Sequence, residues 1–169
     1  MSDSALRLCS AIGVLGLGWL GVQAGLAQQQ GLSATVLSIG DGDTIRVRQS
    51  GRAVTVRLAC IDAPETAQSP HGQQARNYLQ QRLPVGREVS LEVKTTNRYG
   101  RSVAEVISDI NINLVLVEDG QAFAYRQYLN GCDAKEYLDA EYRASRRRYG
   151  VWQVDVRRHR KLSQRRHEN

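Results

Sequence analysis

Histidine and cysteine are scarce, three of each in 169 residues, and neither falls in a spacing that builds a soft metal site. Cys60 and Cys132 lack zinc-ligand spacing, so zinc and copper are disfavoured. Aromatic residues make up only 6% of the chain, so the core rests on aliphatic side chains, for which a hydrophobic content of 41% suffices. No internal repeat is present, which excludes an array of stacked units. The one long apolar stretch, residues 8–26, is broken by several glycines, which argues against a membrane anchor. Acidic charge is in deficit: 23 Lys and Arg face 17 Asp and Glu, giving +6 and a pI near 9.5. That balance favours anionic partners such as nucleic acid or an acidic membrane. Charge alone also allows a basic protein that binds nothing specific.

Arg7 followed by the apolar stretch, with small residues Gly25 and Ala27 before Gln28, has the pattern of a secretory signal over residues 1–27. The expected destination is secreted or periplasmic. Removing this leader takes Cys9 with it and leaves Cys60 and Cys132 as a pair in an oxidising compartment. They form either a disulfide or two small buried thiols. A disulfide would close a loop of about 70 residues, worth roughly 4 kcal/mol on the chain-entropy model.

Residues 28–32 are a polar linker, and residues 33–153 carry the periodic segments of one domain. Ser33–Ser38 has strand character, and Gly40-Asp41-Gly42 supplies a turn in which glycine is free to take positive φ. Thr44–Arg48 and Val54–Leu58 alternate apolar with polar, and the second runs into Ala59-Cys60-Ile61, giving a three-strand meander. Gln73–Leu83 has helical spacing and is ended by Pro84 and Gly86. Val89–Val93 and Ser102–Ile107 are further strands. Asn113 is a candidate N-cap for a short helix through Val117, closed by Gly120. Ala134–Tyr149 is the longest helix, with Tyr137, Leu138, Glu141, Tyr142 and Ser145 on one face, Gly150 at its end and Trp152 docking on the core. The expected fold is mainly β with α (α+β): a five-stranded OB-type barrel with three packed helices.

Residues 154–169 hold six Lys and Arg against two acids, whereas Gln28–Gln153 carries only +2. This basic, expectedly disordered tail is either a phosphate tether or a solvated extension.

Chemistry concentrates in three short segments: Gly40-Asp41-Gly42-Asp43-Thr44, Arg57-Leu58-Ala59-Cys60-Ile61-Asp62-Ala63-Pro64-Glu65, and Tyr99-Gly100-Arg101. Asp43 follows a glycine turn, and Asp62 ends the third strand. Pro64 keeps Ala63 extended, and Glu65 follows. Carboxylate and carbonyl oxygens suit a hard cation such as calcium, and crowded carboxylates need a cation to coexist. Asp41 suits the turn or a supporting role. Arginine stays charged and offers a planar fork to phosphate. Five steps separate Arg57 from Asp62, an odd number that puts them on opposite faces of an unbroken strand. Only a bulge or a break near Ala59-Cys60 can bring them together.

These segments, in this order with a helix between the second and third, resemble the staphylococcal nuclease family. The similarity continues through residues 113–122 and Gly150-Val151-Trp152. It implies an OB-fold barrel with three helices and calcium-dependent hydrolysis of DNA and RNA at low sequence specificity, leaving 3′-phosphate ends. By motif position it implies Asp43, Asp62 and the main-chain carbonyl of Ala63 as calcium ligands, and Glu65 as the group that orients or deprotonates water. Arg57 and Arg101 correspond to phosphate clamps and Tyr99 to the tyrosine beside the nucleotide. Tyr125 and Tyr128 fall in the family's aromatic stretch, although Arg126 shifts that pattern. Ala63 stands where threonine is common, Asn97 where an acid is common, and the loop 66–72 is shorter than in the staphylococcal enzyme. A monomer with no obligate partner is expected. The alternative is a non-catalytic OB-fold module that binds nucleic acid or a partner protein.

Overall fold

The computed structural model describes residues 31–153; the expected leader, residues 28–30 of the linker and the basic tail lie outside the described residues. The elements run β1 (Leu32–Ile39), β2 (Thr44–Gln49), β3 (Arg52–Leu58), β4 (Ile61–Asp62), α1 (His71–Arg82), β5 (Glu88–Thr96), β6 (Ser102–Ser108), β7 (Ile110–Asn111), α2 (Ile112–Glu118), β8 (Phe123–Ala124) and α3 (Ala134–Arg147). A 3₁₀ segment, Arg126–Gly131, joins β8 to α3. The first strand takes Leu32 from the expected linker.

Antiparallel pairing links β3-β2-β1-β5-β6, and a parallel pairing of β3 with β6 closes these five strands into a barrel. Alternation sets the inside: Ile45 and Val47 of β2 are buried while Arg46 and Arg48 face solvent. Val36, Val56, Leu58, Leu91 and Val106 complete that interior. The helices close over it through Leu79 of α1, Leu116 of α2 and Tyr137 of α3, all essentially inaccessible. Each such aliphatic side chain contributes roughly 1.5–3 kcal/mol on burial. No helix among the described residues is long and apolar enough to cross a membrane.

Several local expectations need correction. The N-cap of α2 is Asn111, whose side chain accepts from the Leu114 N–H, not Asn113. Helix α3 buries Tyr137, Ala140, Glu141 and Ala144, while Leu138 and Tyr142 are exposed. Their spacing is helical, but the face in contact with the barrel is narrower than the run of large residues suggested. The helix ends at Arg148 in left-handed geometry, two residues before Gly150. Trp152 meets Phe123 edge to face at 5.4 Å. Cys60 and Cys132 form a disulfide across a sequence separation of 72, which resolves the open choice between bridge and free thiols.

Candidate active site

The chain breaks where the Arg57–Asp62 geometry requires it. Strand β3 ends at Leu58, Cys60 takes φ +64°, and extended geometry resumes at Ile61. A left-handed non-glycine residue costs about 1–2 kcal/mol, so the turn needs support. Asn113 gives it: its Nδ2 donates to the carbonyls of Ala59 at 2.9 Å and Ala104 at 3.1 Å, and its Oδ1 accepts from Val106 N–H at 3.0 Å. This completely buried amide was missed from sequence, because nothing in one chain distinguishes it from a helix cap. Beyond the break, β4 pairs with β8, matching Ile61 to Ala124 and Asp62 to Phe123.

The break turns Arg57 toward both acids. Its Nη1 lies 2.7 Å from Asp43 Oδ1 and its Nη2 3.4 Å from Asp62 Oδ1, with all three side chains largely buried. Burial works against the guanidinium charge, but Asp43, Asp62 and Asp41 outweigh it and hold the group above its usual pKa. Asp43 Oδ2 accepts from the Ala63 N–H at 3.1 Å. Burial pushes the Asp43 carboxyl up to about 7, with repulsion from Asp41 and Asp62 adding to it and Arg57 and Ala63 opposing. Asp41 serves the turn, accepting from the Asp43 N–H at 3.1 Å.

Gly40 and Gly42 do not take positive φ. Gly42 is needed for close approach instead: a Cβ there would sit 2.7 Å from Ala63 Cβ and 2.8 Å from Ala75 Cβ. The missing side chain lets the Asp43 turn lie directly on the Asp62–Ala63 segment and on α1. Glu65 is half-buried in the next turn, where its N–H donates to Gln68 Oε1 at 2.7 Å and its carbonyl accepts from Gln68 N–H at 2.7 Å.

Arg57 also lines a cleft of about 590 Å³ together with Tyr99, Arg101, Tyr125 and Tyr128. Five of the sequence-derived site residues therefore share one cavity, and Arg57 links it to Asp43 and Asp62. Asn97 organises the turn that presents Arg101. Its Oδ1 accepts from the N–H groups of Tyr99 and Arg101, both at 3.0 Å. An amide oxygen thus does what a carboxylate would do there, without its negative charge. Arg101 Nε is buried with no hydrogen-bond partner, a donor left available to a ligand. The Arg98 and Arg101 guanidinium carbons lie 4.9 and 5.7 Å from the Tyr99 ring centroid. Tyr125 and Tyr128 meet edge to face at 4.9 Å. Arg126, which interrupts the aromatic pattern, pairs through its guanidinium with the buried Glu141 of α3, fixing this segment to the helix.

Among the described residues no three His, Cys, Asp or Glu side chains form a metal cluster. The oxygens gathered here around Arg57 are those of the Asp43 and Asp62 carboxylates, with the Ala63 N–H donating to Asp43 Oδ2. That all-oxygen set, with acid in excess over the one guanidinium, fits a hard divalent cation that keeps several waters and not a soft metal.

The family model described as staphylococcal nuclease homologue matches residues 55–154. A micrococcal nuclease of Shigella flexneri is 39% identical over 127 residues, covering 69% of this chain and 71% of that protein. The chain belongs to the staphylococcal nuclease family. An uncharacterised endonuclease of Haemophilus influenzae is 39% identical over 119 residues, covering 69% of this chain and 64% of that protein. Protein ParB of Escherichia coli is 35% identical over 161 residues, covering 89% of this chain and 85% of its own.

Proposed function

We propose that this member of the staphylococcal nuclease family hydrolyses phosphodiester bonds of DNA and RNA with calcium held by Asp43, Asp62 and the Ala63 carbonyl. The observation that carries this reading is the double engagement of Arg57, which contacts both buried acids while lining the cleft that holds Arg101 and three tyrosines. When bound, the ion supplies positive charge to the phosphodiester and a fixed place for water.

The side chains do the rest. Glu65 orients the attacking water and takes its proton. Arg101 and Arg57 stabilise charge on the equatorial oxygens as the water oxygen bonds to phosphorus and the bond to the 5′ oxygen breaks. That oxygen takes a proton from solvent and leaves as a hydroxyl, and a 3′-phosphate remains. Arg57 already lines the cleft, and its planar fork matches two phosphate oxygens. Tyr99, Tyr125 and Tyr128 give bases flat surfaces for stacking, and phosphate-centred contacts carry little sequence information. The non-catalytic alternative predicts that an acid or arginine has been lost, whereas Asp43, Arg57, Asp62, Glu65 and Arg101 are all present. The disulfide supports a secreted or periplasmic protein, and a monomer is sufficient for every role assigned.

The test is cleavage of single- and double-stranded DNA and of RNA with calcium, magnesium or EGTA, followed by end-group analysis. Calcium-dependent cuts ending in 3′-phosphate are expected. Undiminished cutting in excess EGTA refutes the calcium assignment, and 5′-phosphate ends refute the bond assignment.

A further inference from the structure

We propose that the Cys60–Cys132 disulfide positions the aromatic wall of the cleft, so that the chain captures nucleic acid tightly only when oxidised. The inference deepens the nuclease reading and rests on it for the identity of the ligand. Cys60 holds both ends of the segment that carries Tyr125 and Tyr128. At one end its carbonyl accepts from the Tyr125 N–H at 2.9 Å, extending the β4–β8 pairing. At the other end its sulfur is bonded to Cys132, immediately after the 3₁₀ segment Arg126–Gly131.

The two anchors are unequal once the sulfur bond is gone. Tyr125 is buried and remains tied through β8, Arg126 and Glu141. Tyr128 is 54% exposed. It lines the cleft with Asn130 and Gly131, close to the disulfide end. Leu129, buried in the core, still pins the middle of the segment, so reduction frees the exposed Tyr128 side to shift about it while leaving Arg57, Asp43 and Asp62 in place. Because the segment is only a few residues long, its freedom decides whether Tyr128 is preorganised for stacking. In a reducing compartment the same chain would hold nucleic acid weakly, and oxidation on export would complete the cleft.

The step is a thiol–disulfide exchange. A dithiol reductant transfers two electrons and two protons to the S–S bond, leaving two thiols and its own cyclic disulfide. Iodoacetamide then caps each thiol with loss of iodide and a proton, and both reagents are removed. Affinity for a fluorescein-labelled single-stranded oligonucleotide is measured by anisotropy beside KM, kcat and Tm, for oxidised, reduced-and-capped and Cys132→Ser protein, at a temperature where each is folded by circular dichroism.

Opening the bridge should weaken Kd and raise KM about tenfold, the scale of one lost base–aromatic contact, with kcat within about threefold. Tyr128→Ala should have a comparable effect in oxidised protein and add less than about twofold after reduction. A bridge that only stabilises the fold would lower Tm and leave Kd unchanged, and that result overturns the proposal. Full additivity of Tyr128→Ala with reduction also overturns it. Oxidised protein that binds but never cleaves sinks the phosphodiesterase reading, while the Kd ratio still decides this one.

Discussion

Replacing Gly42 by alanine tests whether the acids work because two loops lie almost in contact. The added Cβ would stand 2.7 Å from Ala63 Cβ and 2.8 Å from Ala75 Cβ, against an ordinary carbon contact of about 3.5–4.0 Å. Relief needs a displacement of about 1 Å, at an overpacking cost of roughly 1–3 kcal/mol. The displacement separates Asp43 from the Ala63 N–H that it accepts and from the segment carrying Asp62. A misplacement of about 1 Å can cost about 10²-fold in rate, more than the stability loss alone would cause while the protein remains folded. Gly51→Ala is the control: its φ of +78° makes alanine strained, but nothing lies within 4 Å of the added carbon. Both variants should lose some thermal stability by calorimetry, and only Gly42→Ala should lose turnover by about two orders of magnitude. Turnover within threefold of wild type in Gly42→Ala, or an equal loss in Gly51→Ala, would refute the reasoning.

Arg101→Ala should keep its fold, since Asn97 organises the turn through main-chain N–H groups, and lose about 10²–10³ in turnover; near-wild-type kcat in a folded variant would remove Arg101 from the chemistry. Glu105 is buried behind the cleft residue Lys94. Burial raises its pKa, but hydrogen bonds from Lys94, Tyr137 and Asn111 outweigh this and hold it below its ordinary value of 4.5. Its charged form thus stabilises the fold above that pH, and the contribution is lost as pH falls through the depressed value. Glu105→Gln should therefore be less stable by about 1–3 kcal/mol at pH 7, with the deficit shrinking in denaturation curves below about pH 4; a constant deficit across that range would contradict the assignment. Deleting residues 154–169, which carry six Lys and Arg, should flatten the dependence of log Kd on log salt if they contact phosphate. An unchanged slope would leave the tail without that role.

The barrel was legible because β2, the end of β3 and the start of β5 repeat the two-residue alternation that a half-buried strand imposes. Short pairings escaped for the opposite reason: Ile61–Asp62 and Phe123–Ala124 are two residues long and carry no period. The requirement for a break between Arg57 and Asp62 could be stated from parity, but not what holds it, because Asn113 acts across 54 positions of sequence. In sequence, Gly42 is a residue of conformational freedom. Its actual constraint is the nearness of Ala63 and Ala75, which only packing reveals. Likewise Arg126 interrupts an aromatic run in sequence, and its reason is the ion pair with the buried Glu141 of α3.

Calorimetric titration of calcium into wild-type, Asp43→Asn and Asp62→Asn protein, with turnover measured on the same samples, tests the central claim most directly. One ion per wild-type chain is expected, with binding and cleavage lost together in both variants. Calcium binding that survives both substitutions, or cleavage that survives the loss of binding, would contradict the placement of the hydrolytic centre at these two acids.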